Sequence, residues 1–143
     1  MIVLDTTVLV YATGADHPYR EPCRRLVDAV SRRVVSATTT VEVIQEYVHV
    51  RARRSGRDDA IALGRAYADL LSPLMTVTGA DLFDGLDLLS ATTRLGVFDA
   101  ILAATAVNRS ATAVASADRA FAEVRGVSHI VPDTAGVTAL LTD

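Results

Sequence analysis

Residues Met1–Thr13 read MIVLDTTVLVYAT and decide the fold. The apolar run Ile2–Leu4 ends abruptly at Asp5, and after two threonines a second apolar run begins at Val8. An apolar run without polar alternation is typical of a parallel strand that is covered on both faces. A carboxylate at the end of such a strand lies at the carboxyl edge of the sheet, where open α/β folds bind ligands. The opening stretch therefore predicts an α/β fold whose first strand places Asp5 at that edge.

The composition of the 143-residue chain excludes several classes of protein. Half of the residues are hydrophobic and only 5% are aromatic, which indicates an aliphatic core in a single domain, 1–143. The 14 basic residues are all arginines, which excludes sites that need a lysine, such as a phosphate-binding loop. The lone Cys23 excludes an intramolecular disulfide and favours a reducing compartment. Without a charged leader or an apolar run of about 18 residues, a cytoplasmic protein with no membrane segment is expected.

Strand and helix patterns alternate along the rest of the chain. Four further short apolar runs predict strands at Val34–Val35, Leu74–Val77, Thr112–Ala115 and His129–Val131. The helices predicted between them cover Tyr19–Arg33, Val41–Arg54, Asp58–Leu71, Gly79–Arg94, Asp99–Asn108, Arg119–Val124 and Gly136–Leu141. Because strands alternate with helices, we expect a three-layer α/β/α sandwich around a parallel five-stranded sheet.

Acidic residues stand at the ends of several predicted elements. Asp118 follows the fourth predicted strand as Asp5 follows the first, and Asp99 is expected to cap the helix just before the fourth strand. If these two strands are neighbours, the three aspartates meet, and the helix after the second strand adds Glu42 or Glu46. The alternative is that each aspartate only caps a helix and that each glutamate is simply solvated.

Several carboxylates at one edge repel one another. At about 4 Å a pair costs ~1 kcal/mol in water and ~4 kcal/mol at an effective dielectric of 20. Such a site must hold protons, arginines or a divalent cation. An all-oxygen donor set selects Mg²⁺ or Mn²⁺, and these ions suit hydrolysis of a phosphodiester by an activated water. By contrast, Asp81, Asp84 and Asp87 are spaced by three along one helix and are expected on its solvated face.

Four segments carry a resemblance to a known family. They are VLDTTVLVYA (3–12), TTTVEVIQEY (38–47), GVFDAILAATA (96–106) and SADRAF (116–121). With these segments the chain resembles the PIN domain, and in length and motif order it is similar to VapC-type toxin ribonucleases of bacterial toxin–antitoxin pairs. The resemblance spans essentially the whole chain and implies a PIN-like fold that cleaves RNA with bound Mg²⁺ or Mn²⁺.

The resemblance implies an acidic quartet of Asp5, Glu42, Asp99 and Asp118. Asp5 and Asp99 are expected to be the main metal ligands, with Asp118 bound to a second ion or through water. Glu42, preferred because it is nearer the end of the second strand, would ligate the ion or position the attacking water, and Glu46 is the alternative. Hydroxyls expected to orient ligands or water belong to Thr6, Thr7 and Ser116.

The resemblance also implies protein partners. An antitoxin would cover the groove with its C-terminal segment and insert an arginine among the carboxylates, and a second copy would form a homodimer. The arginine cluster Arg51, Arg53, Arg54 and Arg57 either contacts RNA phosphates or forms a solvated helix end.

Two rival functions are weighed against RNA cleavage. One is another acidic-site phosphohydrolase, such as an aspartyl-phosphate phosphatase. That chemistry typically needs a second aspartate where Thr7 stands and a supporting lysine, which the chain lacks. The other is a PIN-like binding module without catalysis, which is disfavoured because all the acids of the quartet are present.

Overall fold

The computed structural model describes residues 1–142, and within them four short strands alternate with helices. The strands are β1 (Ile2–Leu4), β2 (Ala37–Thr38), β3 (Ala113–Ala115) and β4 (Ser128–Ile130). The helices are α1 (Thr6–Thr13), α2 (Arg20–Ser31), α3 (Val41–Ser55), α4 (Arg57–Leu70), α5 (Gly79–Ala91), α6 (Val97–Asn108) and α7 (Thr134–Thr142), with a 3₁₀ helix at Arg119–Glu123. Every helix expected from the sequence is present, with its ends shifted by a few residues. None of these helices has the length and apolar character needed to cross a membrane.

The sheet is parallel throughout, with strand order β2-β1-β3-β4. Val3 of β1 lies opposite Thr38 on one side and opposite Val114 on the other. All residues of β1 and β3 are buried. Because successive side chains of a strand point to opposite faces, both faces of the sheet are covered. The expected α/β fold and the expected adjacency of the two central strands are therefore confirmed.

The expectation of a fifth strand at Leu74–Val77 is wrong. That segment forms a single parallel bridge at Met75. The carbonyls of Pro73 and Thr76 accept hydrogen bonds from a threonine hydroxyl and an arginine, at 2.9 Å each, instead of joining a ladder. The pairing therefore does not extend beyond the bridge, and the sheet of the described chain has four strands.

The second strand begins later than the expected Val34–Val35. The N–H groups of both valines donate to the carbonyl of Ala29, at 2.9 and 3.3 Å, and so belong to the end of α2. Arg33 reverses the chain there with a φ of 59°. A residue in this left-handed conformation commonly ends a helix. Because the helix terminus uses these N–H groups, the strand starts only at Ala37.

The expectation that Asp81 lies on a solvated helix face is also wrong, although Asp84 and Asp87 are exposed. Asp81 is buried and closes a capping box at the start of α5, where its Oδ2 accepts from the Thr78 N–H at 2.8 Å. It also pairs with Arg109 at 2.9 Å. Burial by itself raises the pKa of Asp81, but the hydrogen bonds to the carboxylate outweigh it and hold the pKa well below its usual range. Asp81 therefore fastens α5 to the end of α6.

Candidate active site

Asp5 lies where β1 ends and is the N-cap of α1, with only 4% of its surface exposed. Its Oδ2 accepts hydrogen bonds from Thr7 Oγ1 at 2.7 Å, from the Thr7 N–H at 3.3 Å and from Ser116 Oγ at 2.7 Å. These bonds orient the carboxylate. They all fall on one oxygen, so Oδ1 receives no hydrogen bond from residues 1–142. Asp5 is therefore a helix cap, as its alternative interpretation held, and it also has an oxygen left for a ligand.

Ser116 and Thr7 connect the end of β3 to the start of α1. While it donates to Asp5, the buried Ser116 hydroxyl accepts from the Asp118 N–H at 3.0 Å. The Thr7 hydroxyl accepts from a backbone N–H of the same loop at 3.0 Å. Asp118 caps the 3₁₀ helix, since its Oδ1 accepts from the Ala120 N–H at 2.8 Å. The carboxylates of Asp5 and Asp118 are thus held at neighbouring strand ends.

Asp99 is not a helix cap, contrary to expectation. The N-cap of α6 is Gly96, and Asp99 lies in the first turn of that helix. Burial raises the pKa of Asp99, and the charges of Asp5, Asp118 and Glu46 raise it further, to about 7. The acids expected to converge from distant parts of the chain therefore lie within electrostatic reach of one another.

The sequence offered two glutamates of α3, Glu42 and Glu46, for the acidic site. In the structure, Glu46 contacts the start of α1 and acts on Asp99. Thr6 Oγ1 donates to Glu46 Oε2 at 2.7 Å, and the charge of Glu46 contributes to the raised pKa of Asp99. Glu42 lies one turn earlier on α3; both glutamates are exposed, but Glu42 is not among the charges that act on Asp99. Helix α3 therefore directs Glu46 toward the start of α1, while Glu42, the glutamate preferred from the sequence, lines a cavity together with Asp5 and Asp99.

Two adjoining cavities share the acids. The first, called here the acidic cavity, has a volume of about 360 Å³. Besides the three aspartates and Glu46 it is lined by Thr6, Thr7, Val10, Tyr11, Val50 and Arg54. The second, called here the apolar groove, has a volume of about 610 Å³. It adjoins Asp5, Glu42, Glu46 and Asp99 but is walled mainly by the apolar side chains of Val43, Val48, Val77, Phe98, Ile101 and Leu102.

The donor set fits a hard, partly hydrated cation. Among residues 1–142, no three His, Cys, Asp or Glu side chains are placed to hold one ion by themselves. Mg²⁺ commonly binds one or two carboxylates and completes its shell with waters and substrate phosphates. Zn²⁺ sites, by contrast, are built mainly from His and Cys. The pKa of Asp99 is raised by burial and by repulsion from neighbouring acids, and a divalent cation would relieve that repulsion.

The basic residues near the site differ in their contacts. Arg51 pairs with Asp59 and donates to the Thr13 carbonyl at 2.8 Å, so its guanidinium is already bound within the protein. Arg54 is exposed and lines the acidic cavity. Of the histidines, His129 lies behind the site, with Nε2 at 2.9 Å from the carbonyl of the serine that orients Asp5. The cluster thus contributes one arginine to the cavity.

Sequence reasoning did not single out Tyr11, which lines the acidic cavity. It lies inside the second apolar run and has the appearance of a core residue in the sequence. Its position less than two turns after Asp5 on α1 was the available signal, but that signal depends on knowing where the helix begins.

The chain is similar to known ribonucleases over its whole length. A family model of the PIN domain matches residues 2–127. Ribonuclease VapC7 of Mycobacterium tuberculosis is 53% identical over an alignment of 147 positions, which covers 100% of this chain and 99% of that protein. Ribonuclease VapC23 of the same species is 33% identical over 126 residues, or 85% of this chain and 96% of that protein.

A solved structure shows the same fold. It is that of Mycobacterium tuberculosis VapC20, described as a Sarcin-Ricin loop cleaving toxin. The two chains superimpose with a TM-score of 0.72 at 17% identity, covering 89% of this chain and 98% of the other. With the family match and the relatives above, the chain belongs to the PIN-domain family and, within it, to the VapC-type ribonucleases.

Proposed function

We propose that this protein is a toxin endoribonuclease that hydrolyses RNA phosphodiester bonds with Mg²⁺ or Mn²⁺ and is inhibited by an antitoxin. The observation that carries the proposal is the convergence of Asp5, Asp99, Asp118 and Glu46 on one cavity, where burial and mutual repulsion raise the pKa of Asp99 to about 7. The family supports the reaction class, because the relatives named above are ribonucleases. An RNA substrate is also in keeping with action in the cytoplasm.

The metal would be held by Asp5 through its free Oδ1 and by Asp99, with Asp118 bound to a second ion or through water. A bound Mg²⁺ or Mn²⁺ would supply Lewis-acid polarisation of the scissile phosphate and lower the pKa of the attacking water. The fit rests on carboxylate oxygens, which are all negatively charged and which only a cation or protons can neutralise.

The chain's own residues have separate roles in the proposed reaction. Thr7 and Ser116 hold the Asp5 carboxylate in one orientation through bonds to its Oδ2. Glu46, held by Thr6, would orient the attacking water and accept its proton. We therefore propose Glu46 as the glutamate of the quartet, with Glu42 at the edge of the apolar groove.

The RNA backbone needs a positive contact in a site of negative charge. Arg54 lines the acidic cavity and is exposed, so its guanidinium can bind a phosphate next to the scissile one. Arg51 is excluded from this role by its pairing with Asp59.

Exposed apolar side chains support the proposed protein partners. Phe98, at the edge of the apolar groove, is 77% exposed, and Phe83 on the neighbouring α5 is 69% exposed. Exposed apolar side chains beside a groove are typical of interaction sites. We propose that the antitoxin segment occupies the apolar groove beside the acids, and that this face or another apolar helix face forms a homodimer.

The test uses metal-stripped protein purified without antitoxin and incubated with single-stranded RNA, with and without Mn²⁺. We expect cleavage only with Mn²⁺ or Mg²⁺, and none by Asp5→Asn, whose fold should be intact by circular dichroism. Glu46→Gln should lose at least about 100-fold in rate, whereas Glu42→Gln, its matched control one turn away, should cleave like the wild type.

The same protein preparations, tested with p-nitrophenyl phosphate as a second substrate, distinguish the rival functions. Hydrolysis of p-nitrophenyl phosphate without RNA cleavage would identify another phosphohydrolase. RNA binding without metal-dependent cleavage would identify a binding module. Full nuclease activity in a clean Asp5→Asn preparation would overturn the proposed site.

A further inference from the structure

Three aromatic rings form a cluster beside the acidic cavity. Tyr11 of α1 is stacked on His17, with ring centroids 4.3 Å apart and an interplanar angle of 27°. Tyr19 meets both rings edge-on, at 5.5 Å from Tyr11 and 5.2 Å from His17. These residues, called here the aromatic cluster, account for three of the ten aromatic and histidine side chains of the chain (4 Tyr, 3 Phe and 3 His). Of the three, Tyr11 lines the acidic cavity.

The aromatic cluster is held in a fixed arrangement. The Tyr19 N–H donates to His17 Nδ1 at 3.1 Å, which fixes the orientation of the imidazole ring. Tyr19 directly precedes α2 and Tyr11 belongs to α1, so two helices position the three rings. Edge-on and offset stacked pairs are the favoured arrangements of aromatic rings. A platform of this kind loses little conformational freedom when a ligand binds.

Solvent reaches the aromatic cluster, and the acidic cavity adjoins it. His17 is exposed, and Tyr11 and Tyr19 are half-buried. Tyr11 lines the cavity together with Asp5, Asp99 and other acids. From the N-cap Asp5 to Tyr11 the helix rises about 9 Å. The ring of Tyr11 is therefore within reach of a nucleotide whose neighbouring phosphate lies at the acids.

Without a bound cation the carboxylates of the acidic cavity repel RNA phosphates, and Arg54 is the one arginine that lines this cavity. Proteins that bind unpaired RNA stack the bases on Tyr, His and other aromatic rings, and a stacked base needs no charge complementarity. The aromatic cluster offers such a surface on the side of the cavity where α1 ends.

We propose that the aromatic cluster binds an unpaired base of the RNA next to the bond that is cleaved, with Tyr11 stacking on the base and His17 supporting Tyr11 from behind. This proposal rests on the proposed function, since it names a substrate-binding feature of the same site. It makes Tyr11 a determinant of substrate affinity and of the requirement for an unpaired nucleotide. The competing interpretation is that the three rings only hold the loop 14–18 against α1.

The test compares Tyr11→Leu, which removes the ring, with Tyr11→Phe, which keeps it. Binding to fluorescein-labelled, pooled-sequence single-stranded RNA is measured by anisotropy in EDTA, and cleavage of the same RNA is measured in Mn²⁺. We expect Tyr11→Leu to raise Kd and KM about tenfold, which corresponds to about 1.4 kcal/mol, with kcat within about twofold. Tyr11→Phe should bind and cleave like the wild type.

A second readout separates stacking from a structural role. The readout uses a set of RNAs derived from one sequence that the wild type binds. In each RNA a different single nucleotide is replaced by an abasic one. One position should cost the wild type about tenfold in affinity, and the same replacement should cost Tyr11→Leu nothing further. A fold defect in Tyr11→Leu would weaken binding at every position alike. His17→Ala, at an exposed residue, should show a smaller loss at that same position.

The outcomes distinguish this proposal from the proposed function. If the wild type cleaves RNA and Tyr11→Leu has wild-type Kd and KM, the aromatic cluster is not a base platform and the nuclease function stands. If the wild type binds RNA in a Tyr11-dependent way but does not cleave it with any metal, the nuclease function fails and the platform stands. Uniform losses across all abasic positions overturn the platform, as does a wild type that does not bind RNA.

Discussion

At Asp99 a single carboxylate combines burial with the charges of three other acids. Its pKa of about 7 in the folded protein lies above the value of about 3.9 expected in an unfolded chain. Between these two pH values the folded protein binds a proton that the unfolded chain releases. The contribution of Asp99 to stability is therefore fully present below about pH 4 and is lost as the pH rises through 7.

Replacing Asp99 by asparagine should remove this dependence in the metal-free protein. We expect Asp99→Asn to be more stable than the wild type at pH 8 by at least about 1 kcal/mol, or roughly 3–5 °C in Tm. The difference should shrink toward pH 4. Melting curves recorded from pH 4 to 8 in EDTA measure it, with Asp87→Asn as a control at an exposed acid of α5. Parallel pH profiles for wild type and Asp99→Asn would contradict the assignment.

Ser116 acts on the site only through other residues. Its hydroxyl donates to Asp5 and accepts from the Asp118 N–H, so Ser116→Ala removes one of the three hydrogen bonds that orient Asp5 and leaves one N–H without its acceptor. Residues that orient metal ligands typically contribute 10–100-fold to affinity or activity. We expect a loss of about that size in kcat or in the Mn²⁺ concentration needed for half-activity. The exposed Ser90→Ala is the matched control, and wild-type values for both parameters in Ser116→Ala would exclude the orienting role.

At the scale of elements, Gly85 of α5 lies directly against Ile101 of α6. A Cβ added to Gly85 would lie 2.8 Å from both the Cα and the Cγ1 of Ile101. Because the Ile101 Cα is a backbone atom and cannot rotate away, the two helices would have to separate to make room for the new Cβ. Helix α6 carries Asp99, and the spacing of this helix pair therefore bears on the site.

Gly85→Ala should destabilise the protein by about 1–3 kcal/mol through overpacking. Gly79→Ala, on the same helix with no atom within 4 Å of the new Cβ, should be neutral or stabilising by up to about 1 kcal/mol. Urea denaturation of the two variants measures the difference. Equal midpoints would show that α5 and α6 can separate at no cost.

At the scale of the whole molecule, the crowded acids should couple metal binding to folding. An ion that binds only the folded state stabilises it by about 2.7 kcal/mol at 100 times its Kd. We expect Mn²⁺ and Mg²⁺ to raise the Tm of the wild type by several degrees. Differential scanning fluorimetry across a metal titration measures the shift.

Two variants make the metal experiment specific to the site. Asp99→Asn should lose most of the shift, because it removes a proposed ligand, and Asp87→Asn should keep it. A shift of equal size in wild type and Asp99→Asn would place the stabilising ion elsewhere on the protein.

Several features of this protein could be determined from the sequence by itself. Continuous apolar runs and helical stripes are local patterns, so they located β1, β3 and the helices from α2 onward. The pairing of β1 with β3 followed from general rules of α/β topology, and because parallel strands share a carboxyl edge, Asp5 and Asp118 could be expected together. The motif order was sufficient to place the chain in its family.

The tertiary structure decided which side chains occupy that edge. Whether Glu42 or Glu46 reaches Thr6 depends on how α3 is rotated against α1, and the sequence carries no direct record of that rotation. Asp99 acquires its high pKa from burial and from the charges of acids that lie far away along the chain. The missing fifth strand has the same origin, since side chains bind carbonyls that a ladder would use. Local patterns thus determined the elements, whereas contacts between distant segments determined the chemistry of the site.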